Sequence, residues 1–227
     1  MPKPPKKKKL STSQVKRSKL VRLQQYMNLE TGALDETALP NMTSLYKKAA
    51  QYKLLCAKIR KCQKCPGLNV SWITEAAAGW GDLNAAVFIV GQALDEHGVK
   101  TGVPLLLGSG QLIDIALALS GQARKDVFLS NAVHCFTGGR RPSTVKEKKA
   151  CRIYLAEELK IVMPQMVVAL GKDAQEAVDG VLGEQKEVQV LRLAHPAAFW
   201  KSNNPDIARN WILKLSVALD KYIGERR

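Results

Sequence analysis

The chain has 227 residues, 46% of them hydrophobic, and carries 35 lysines and arginines against 20 acids, for a formal charge of +15. That length fills one sizeable core with a tail to spare, and no apolar run approaches the roughly 20 residues of a membrane-spanning helix. The charge points to a polyanionic partner.

In chain order, residues 1–40 read as a flexible basic arm and connector. Nine lysines and arginines and no acid fall between Met1 and Leu29, which leaves six positive charges for the rest. The KPPKKKK block cannot bury apolar surface; it reads either as a solubilising tail or as a nonspecific phosphate contact. Without an apolar stretch behind the charges it is not a secretory leader, and a cytoplasmic setting fits the cysteines. Residues 41–227 read as one domain. It begins with a helical pattern, SLYKKAAQYKLLCAKIRK, in which Cys56 is expected to be an inert, partly buried thiol.

Beyond that helix lie Cys62 and Cys65, a C-x-x-C pair. Two further cysteines follow, Cys135 at the end of the strand-like run VFLSNAVHC and Cys151 inside a helix-like run, with fifteen residues between them. Four thiolates in this arrangement suit a metal. A zinc ribbon would repeat its C-x-x-C pair, and all-cysteine ligation also suits an iron–sulfur cluster, so spacing alone leaves the metal open.

Apolar, β-branched runs at Ala86–Val90, Val127–Val133, Met166–Leu170 and Val188–Leu193 alternate with helical stretches at Gly110–Ser120, Thr144–Val162, Lys172–Val181 and Pro205–Ile223. Thr144 or Ser143 is a candidate helix N-cap, with Glu147 completing a capping box from Thr144. Strands alternating with crossover-length helices predict a parallel sheet covered on both faces, a three-layer α/β/α sandwich. In such sheets ligands bind beyond the carboxyl ends of the strands. Three segments converge there: GQALDEHG after the first strand, Asn131–Cys135 in the second, and HPAAFW after the fourth. GWG and GSG are too short to be dinucleotide fingerprints, and no phosphate-binding G-x-x-x-x-G-K-[ST] occurs.

The order C-x-x-C, GQALDEHGVKTGVPLLLGSGQLI, VFLSNAVHC, the gap to Cys151, PQMVVALG and AHPAAFW resembles the family-4 uracil-DNA glycosylases, the iron–sulfur branch of that superfamily. The resemblance runs from about Cys62 to the C-terminus, and the cysteine spacing and the K-T-G-x-P block are its most specific parts. It implies a four-stranded parallel sheet, a [4Fe–4S] cluster of structural role on Cys62, Cys65, Cys135 and Cys151, and excision of a base from DNA by a monomeric enzyme. His195 matches the family's H-P-A histidine and would hydrogen-bond the base carbonyl as it gains charge. Asn131 matches the asparagine that reads the base edge, and Gln92, Ala93 and Leu105 complete the base site.

Three positions depart from the family pattern. Gln92 replaces a glutamate. Leu105 replaces the phenylalanine that stacks on the flipped uracil, which widens the pocket. Asp95 replaces a glycine, which places a carboxylate near the reaction centre; there Asp95 or Glu96 would assist water or the sugar cation, or Asp95 is an ordinary turn residue. The substrate is then uracil or a modified, bulkier pyrimidine such as those of viral DNA. A catalytically weak DNA-binding or damage-sensing protein is the alternative, and a zinc-binding nucleic-acid module is disfavoured by the cysteine spacing. For DNA contacts, Arg140 and Arg141 lie in the loop between the cluster cysteines. Phe199 stands at the wedge position, with Trp200 and Lys201 beside it, or caps the core instead. His97 is expected to face solvent.

Overall fold

A computed structural model describes residues 40–138, 141–183, 187–199 and 204–224, with side chains from residue 44. The basic arm, Arg140, Trp200 and Lys201 lie outside the described residues. The elements are α1 (Pro40–Arg60), β1 (Trp80–Gly81), β2 (Val87–Leu94), α2 (Glu96–Thr101), α3 (Gln111–Leu119), β3 (Phe128–Phe136), α4 (Val145–Val162), β4 (Met166–Leu170), α5 (Lys172–Leu182), β5 (Gln189–Leu193) and α6 (Pro205–Leu219). They form a five-stranded sheet in the order β1-β3-β2-β4-β5. The four long strands are mutually parallel, as the alternating pattern requires, and β1 pairs antiparallel with β3.

The expected α/β/α architecture is present, with one strand more than the four anticipated. The extra edge strand comes from the GWG segment. Gly81 adopts φ +139°, and a Cβ there would stand 2.0 Å from the Val127 carbonyl oxygen. A two-residue strand, one of them glycine, carries no periodic signal, so only the close approach of backbones reveals the pairing.

Side chains alternate across the sheet with the period of two that a strand imposes. Val87 and Ile89 of β2 pack with Leu129, Val168 and Leu170 under α3 (Ile113, Ala116, Leu117) and α6 (Trp211, Leu215, Leu219). Phe88 and Val90 face the other way, with Phe128, Val167 and Ala169 under α4 (Leu155, Leu159) and α5 (Ala174, Val178). A third cluster joins Leu55 and Ile59 of α1 to Val133, Cys135, Cys151 and Tyr154, with Cys62 packed against it.

Two local features position the loops around the strand ends. The capping box at the start of α4 is formed as the sequence predicts: Thr144 Oγ1 accepts from the Glu147 N–H at 3.2 Å and Glu147 Oε2 accepts from the Thr144 N–H at 2.7 Å. Strand β2 also runs on through Gly91, Gln92, Ala93 and Leu94, which sequence reasoning assigned to the loop. These residues stay in the ladder because Gly91 pairs with Asn131 and Ala93 with Val133 before a register shift at Leu94. The partner strand is likewise longer, so Asn131 sits within β3 rather than at its end.

Candidate active site at the carboxyl ends of the strands

Beyond the ends of β2 and β5 lies a cleft of about 730 Å³ whose lining includes Gln92, Ala93, Asp95, Leu105, Arg141 and His195. Of the three segments anticipated at this rim, GQALDEHG and HPAAFW share this cavity, while no residue of Asn131–Cys135 lines it. Leu107, Ser109 and Ala197, from within the quoted motifs, also line it. Phe136 and Thr137 line it too; they follow VFLSNAVHC and carry no motif that would have marked them in advance.

His195 is held by its neighbours on both sides. It caps the short turn Pro196–Ala198, and its Nδ1 accepts from the Ala197 N–H at 3.2 Å. An imidazole nitrogen that accepts carries no proton, so the neutral ring bears its hydrogen on Nε2 as a donor. Burial pushes the His195 pKa below 6.5, against an opposing pull from Asp173. The ring sits close to the sheet because Gly171, at φ +82°, has no Cβ; one built there would stand 2.8 Å from His195 Cβ. Upstream, the Ala194 carbonyl accepts from Trp211 Nε1 at 2.9 Å, which fixes the chain entering the turn.

Asn131 is 2% exposed and stands beside the cleft rather than among the residues that line it. Its Oδ1 is buried and has no hydrogen-bond partner among the described residues. A Cβ on Gly91 would lie 2.5 Å from that oxygen and 3.0 Å from Leu105 Cδ2. Glycine at 91 thus leaves room for the amide, and the lining Leu105 borders the same space. Leaving a buried amide oxygen unpaired costs about 1–3 kcal/mol. Leu105 itself has φ +55°. For a non-glycine residue that conformation costs about 1–2 kcal/mol and persists only when surrounding contacts impose it.

Other anticipated site residues are engaged differently. Gln92 donates from Nε2 to the Arg141 carbonyl at 2.7 Å, tying the end of β2 to the loop between Cys135 and Cys151. Asp95 is exposed and caps α2, Oδ1 accepting from the Gly98 N–H at 2.6 Å, so the turn-residue reading holds for that oxygen while the carboxylate still lines the cleft. The Arg141 guanidinium is paired with Glu147 through two hydrogen bonds, of 3.0 and 2.6 Å, which makes it a loop clasp rather than an open phosphate contact. That same guanidinium holds the Glu147 carboxyl down at about 2. Phe199 packs against the core and against Trp211, with ring centroids 6.1 Å apart, so the core-capping reading describes it rather than a free wedge. His97 is exposed on α2, as expected, and reaches the cleft wall.

The four motif cysteines lie within electrostatic range of one another. Burial first, then Cys151, Cys62 and Cys65, pushes the Cys135 thiol up to about 12. Cys65 is raised by burial and then by Cys151, Glu147 and Cys62. Among the described residues, no three His, Cys, Asp or Glu side chains gather closely enough to hold a single metal ion. The donor set is four neighbouring thiols, two of them buried, and all-thiolate ligation suits either a single metal ion or an iron–sulfur cluster. Cys56 stands apart from this set, half-buried, with its thiol raised by burial.

Sequence reasoning missed a buried polar cluster behind the cysteines. Ser130 Oγ donates to Glu158 Oε2, which also meets His134 Nε2 at 3.1 Å, while Glu158 Oε1 accepts from the Gly79 N–H at 2.7 Å. Burial alone would lower the His134 pKa, but the Glu158 carboxylate outweighs it and carries it up to about 10. The four-residue spacing of Ser130 and His134 on one face of β3 was the only available signal. Their partner Glu158 lies on α4, out of reach of local pattern.

A family model described as "Uracil DNA glycosylase superfamily" matches residues 78–215. A type-4 uracil-DNA glycosylase of Thermotoga maritima is 32% identical over 157 residues, covering 69% of this chain and 78% of that one. A type-4 enzyme of Pyrobaculum aerophilum is 33% identical over 129 residues, covering 57% and 65%. A type-5 uracil-DNA glycosylase of the same organism is 38% identical over 155 residues, covering 56% and 68%.

The cleft geometry makes a direct prediction for His195. Its ring should titrate with a midpoint below 6.5 when followed by NMR, and Gly171→Ala, which forces the ring off the sheet, should move the midpoint back up. A wild-type midpoint at or above 6.5 would contradict this account of the site.

Proposed function

Because this chain belongs to the uracil DNA glycosylase superfamily, we propose that it is a monofunctional DNA glycosylase, which extrudes a pyrimidine from DNA and hydrolyses its N-glycosidic bond to leave an abasic site. The observation that carries this reading is a neutral, half-buried His195 with its Nε2–H free of the capping bond, in a cleft at the strand ends.

A base cannot react inside the duplex stack, so it must swing out at a cost of a few kcal/mol. Once it is seated, the C1′–N1 bond breaks, its electron pair goes to the base, and the sugar becomes cationic. Catalysis then requires donors where the base gains negative charge and a negative charge beside the sugar. His195 Nε2–H supplies the donor to the base carbonyl and gives up no proton to do so. Asn131 Oδ1, unpaired in the free protein, accepts from an N–H on the base edge, with the neighbouring Leu105 packing on the base face. Asp95 holds a carboxylate on the cleft wall for the sugar cation or for the attacking water, whose oxygen bonds to C1′ and whose proton passes to that carboxylate and then to the departed base anion. Gln92 keeps the end of β2 in place through the Arg141 carbonyl.

Uracil fits this scheme. Leu105 in place of an aromatic ring gives up part of a stacking contact worth about 1–3 kcal/mol and leaves the pocket wider. A cleft of about 730 Å³ exceeds what one unmodified pyrimidine fills, which favours extending the substrate range to bulkier, modified pyrimidines such as those of viral DNA. The nine cations between Met1 and Leu29 would add nonspecific phosphate attraction.

We further propose that Cys62, Cys65, Cys135 and Cys151 hold a [4Fe–4S] cluster, which when bound would cross-link the segment after α1 to β3 and α4 and leave the base chemistry to the cleft. Its test is composition: Cys151→Ser should lower bound iron and acid-labile sulfide, and with them the brown visible absorbance, while Cys56→Ser should not. Wild-type protein carrying zinc in place of iron would overturn it.

For the enzyme itself, uracil-containing and modified-pyrimidine oligonucleotides are incubated with the protein, and the freed base is identified by mass. Wild type should release a pyrimidine and leave alkali-labile sites. His195→Ala and Asn131→Ala should each slow release at least ~100-fold with DNA affinity within about threefold, as expected for groups that act in the transition state. Full turnover in both variants would refute the site assignment.

A further inference from the structure

One wall of the cleft depends on a side chain that neither lines the cleft nor belongs to a motif. Arg124 opens the short turn Arg124–Asp126 that leads into β3, the strand bearing Asn131. Its side chain is only 14% exposed. The guanidinium reaches back across the fold to the loop that carries Leu105. Nη2 donates to the Leu105 carbonyl at 2.6 Å and reaches those of Leu106 and Gly110 at 3.4 and 3.3 Å, while Nη1 reaches that of Pro104 at 3.5 Å. Asp114 of α3 completes the set, accepting from Nε at 2.5 Å and from Nη2 at 3.1 Å.

We infer that Arg124 is a positioning residue for base excision: it holds Leu105 in its left-handed conformation and so fixes the gap between the Leu105 loop and Asn131. Three observations support this. Leu105 at φ +55° needs an external constraint, and its carbonyl receives the shortest of Arg124's backbone contacts. The same carbonyl already lies against Gly110, where a Cβ would stand 1.9 Å from it, so glycine at 110 leaves it the place in which Arg124 holds it. Arg124 is also rooted seven residues before Asn131, so its planar fork ties the Leu105 loop to the segment that leads into the Asn131 strand. Leu107, Gly108 and Ser109 of the same loop line the cleft, so loosening the staple shifts much of one wall at once.

An ion pair that merely supports folding would depend on Asp114 as much as on Arg124. A staple depends on the guanidinium and its carbonyls. Three variants separate the two. Arg124→Lys keeps the charge beside Asp114 but loses the fork; Arg124→Gln keeps a donor amide without the charge; Asp114→Asn removes the ion pair and leaves the carbonyl contacts.

The inference rests on the glycosylase reading, and two measurements keep the two apart. Single-turnover release is measured on whichever base the wild type frees, together with DNA affinity. Backbone hydrogen exchange over residues 104–110 is measured on the free, full-length protein. Arg124→Lys should lower the maximal release rate at least ~10-fold with affinity within about threefold, and residues 104–110 should exchange at least ~10-fold faster. Asp114→Asn should stay within about threefold of wild type in both readouts. If Arg124→Lys does not fold, Arg124→Gln decides by the same thresholds. Unchanged exchange over 104–110, an unchanged release rate, or an equal loss in Asp114→Asn would overturn the inference. A wild type that frees no base would defeat the glycosylase reading, and exchange would then decide the staple alone.

Discussion

The site depends on a space that residue 91 does not fill. Register pairs Gly91 of β2 with Asn131 of β3, and the Asn131 amide oxygen lies 2.5 Å from where a side chain on 91 would begin. Any larger residue would expel the amide or part β2 from β3. The fold therefore sets a buried, unpaired acceptor at the carboxyl end of its core. The parallel topology brings β5 to the same rim, with His195 just past its end. A second glycine, Gly171, lets that ring approach. Both side chains thus occupy space that a methyl group on residue 91 or 171 would take.

Around this point two arginines hold two loops, and neither faces open solvent as a free cation. Arg141 is clasped by Glu147 at the start of α4 and receives Gln92 on its carbonyl, which connects the cysteine-bearing segment to the end of β2. Arg124 performs the equivalent task for the Leu105 loop from the root of β3. The cleft is bounded by loops, yet each loop is fixed to a regular element by a charge-assisted hydrogen bond, the kind about twice as strong as a neutral one. That arrangement gives a pocket with a set shape before any ligand enters, which is the condition for electrostatic catalysis.

Much of this was legible in the sequence, for identifiable reasons. The apolar runs of β2, β3 and β4 announced themselves because strands buried on both faces need continuous β-branched residues. Thr144 and Glu147 announced their helix because a capping box is local, three residues end to end. His195, Gln92 and Asp95 could be placed at one rim because topology alone puts strand ends together. What stayed hidden was nonlocal. The two-residue β1 is visible only in the approach of Gly81 to Val127, Arg124 only in carbonyls up to twenty residues upstream, and Glu158 only across the sheet from His134. Arg141 and Phe199 looked like DNA contacts because sequence shows charge and aromaticity without the partner. Glu147 and Trp211 are those partners.

The central claim is that an extruded pyrimidine occupies the space between Leu105 and His195 and completes the unpaired Asn131 oxygen. A crystal structure with DNA whose target nucleotide carries a 2′-fluoro substituent tests this most directly, because the fluorine disfavours the sugar cation and halts the reaction before cleavage. The account predicts the base out of the stack, one of its N–H groups on Asn131 Oδ1 and its carbonyl on His195 Nε2. A base still stacked in the duplex, or seated elsewhere with Asn131 Oδ1 unpaired, would contradict it.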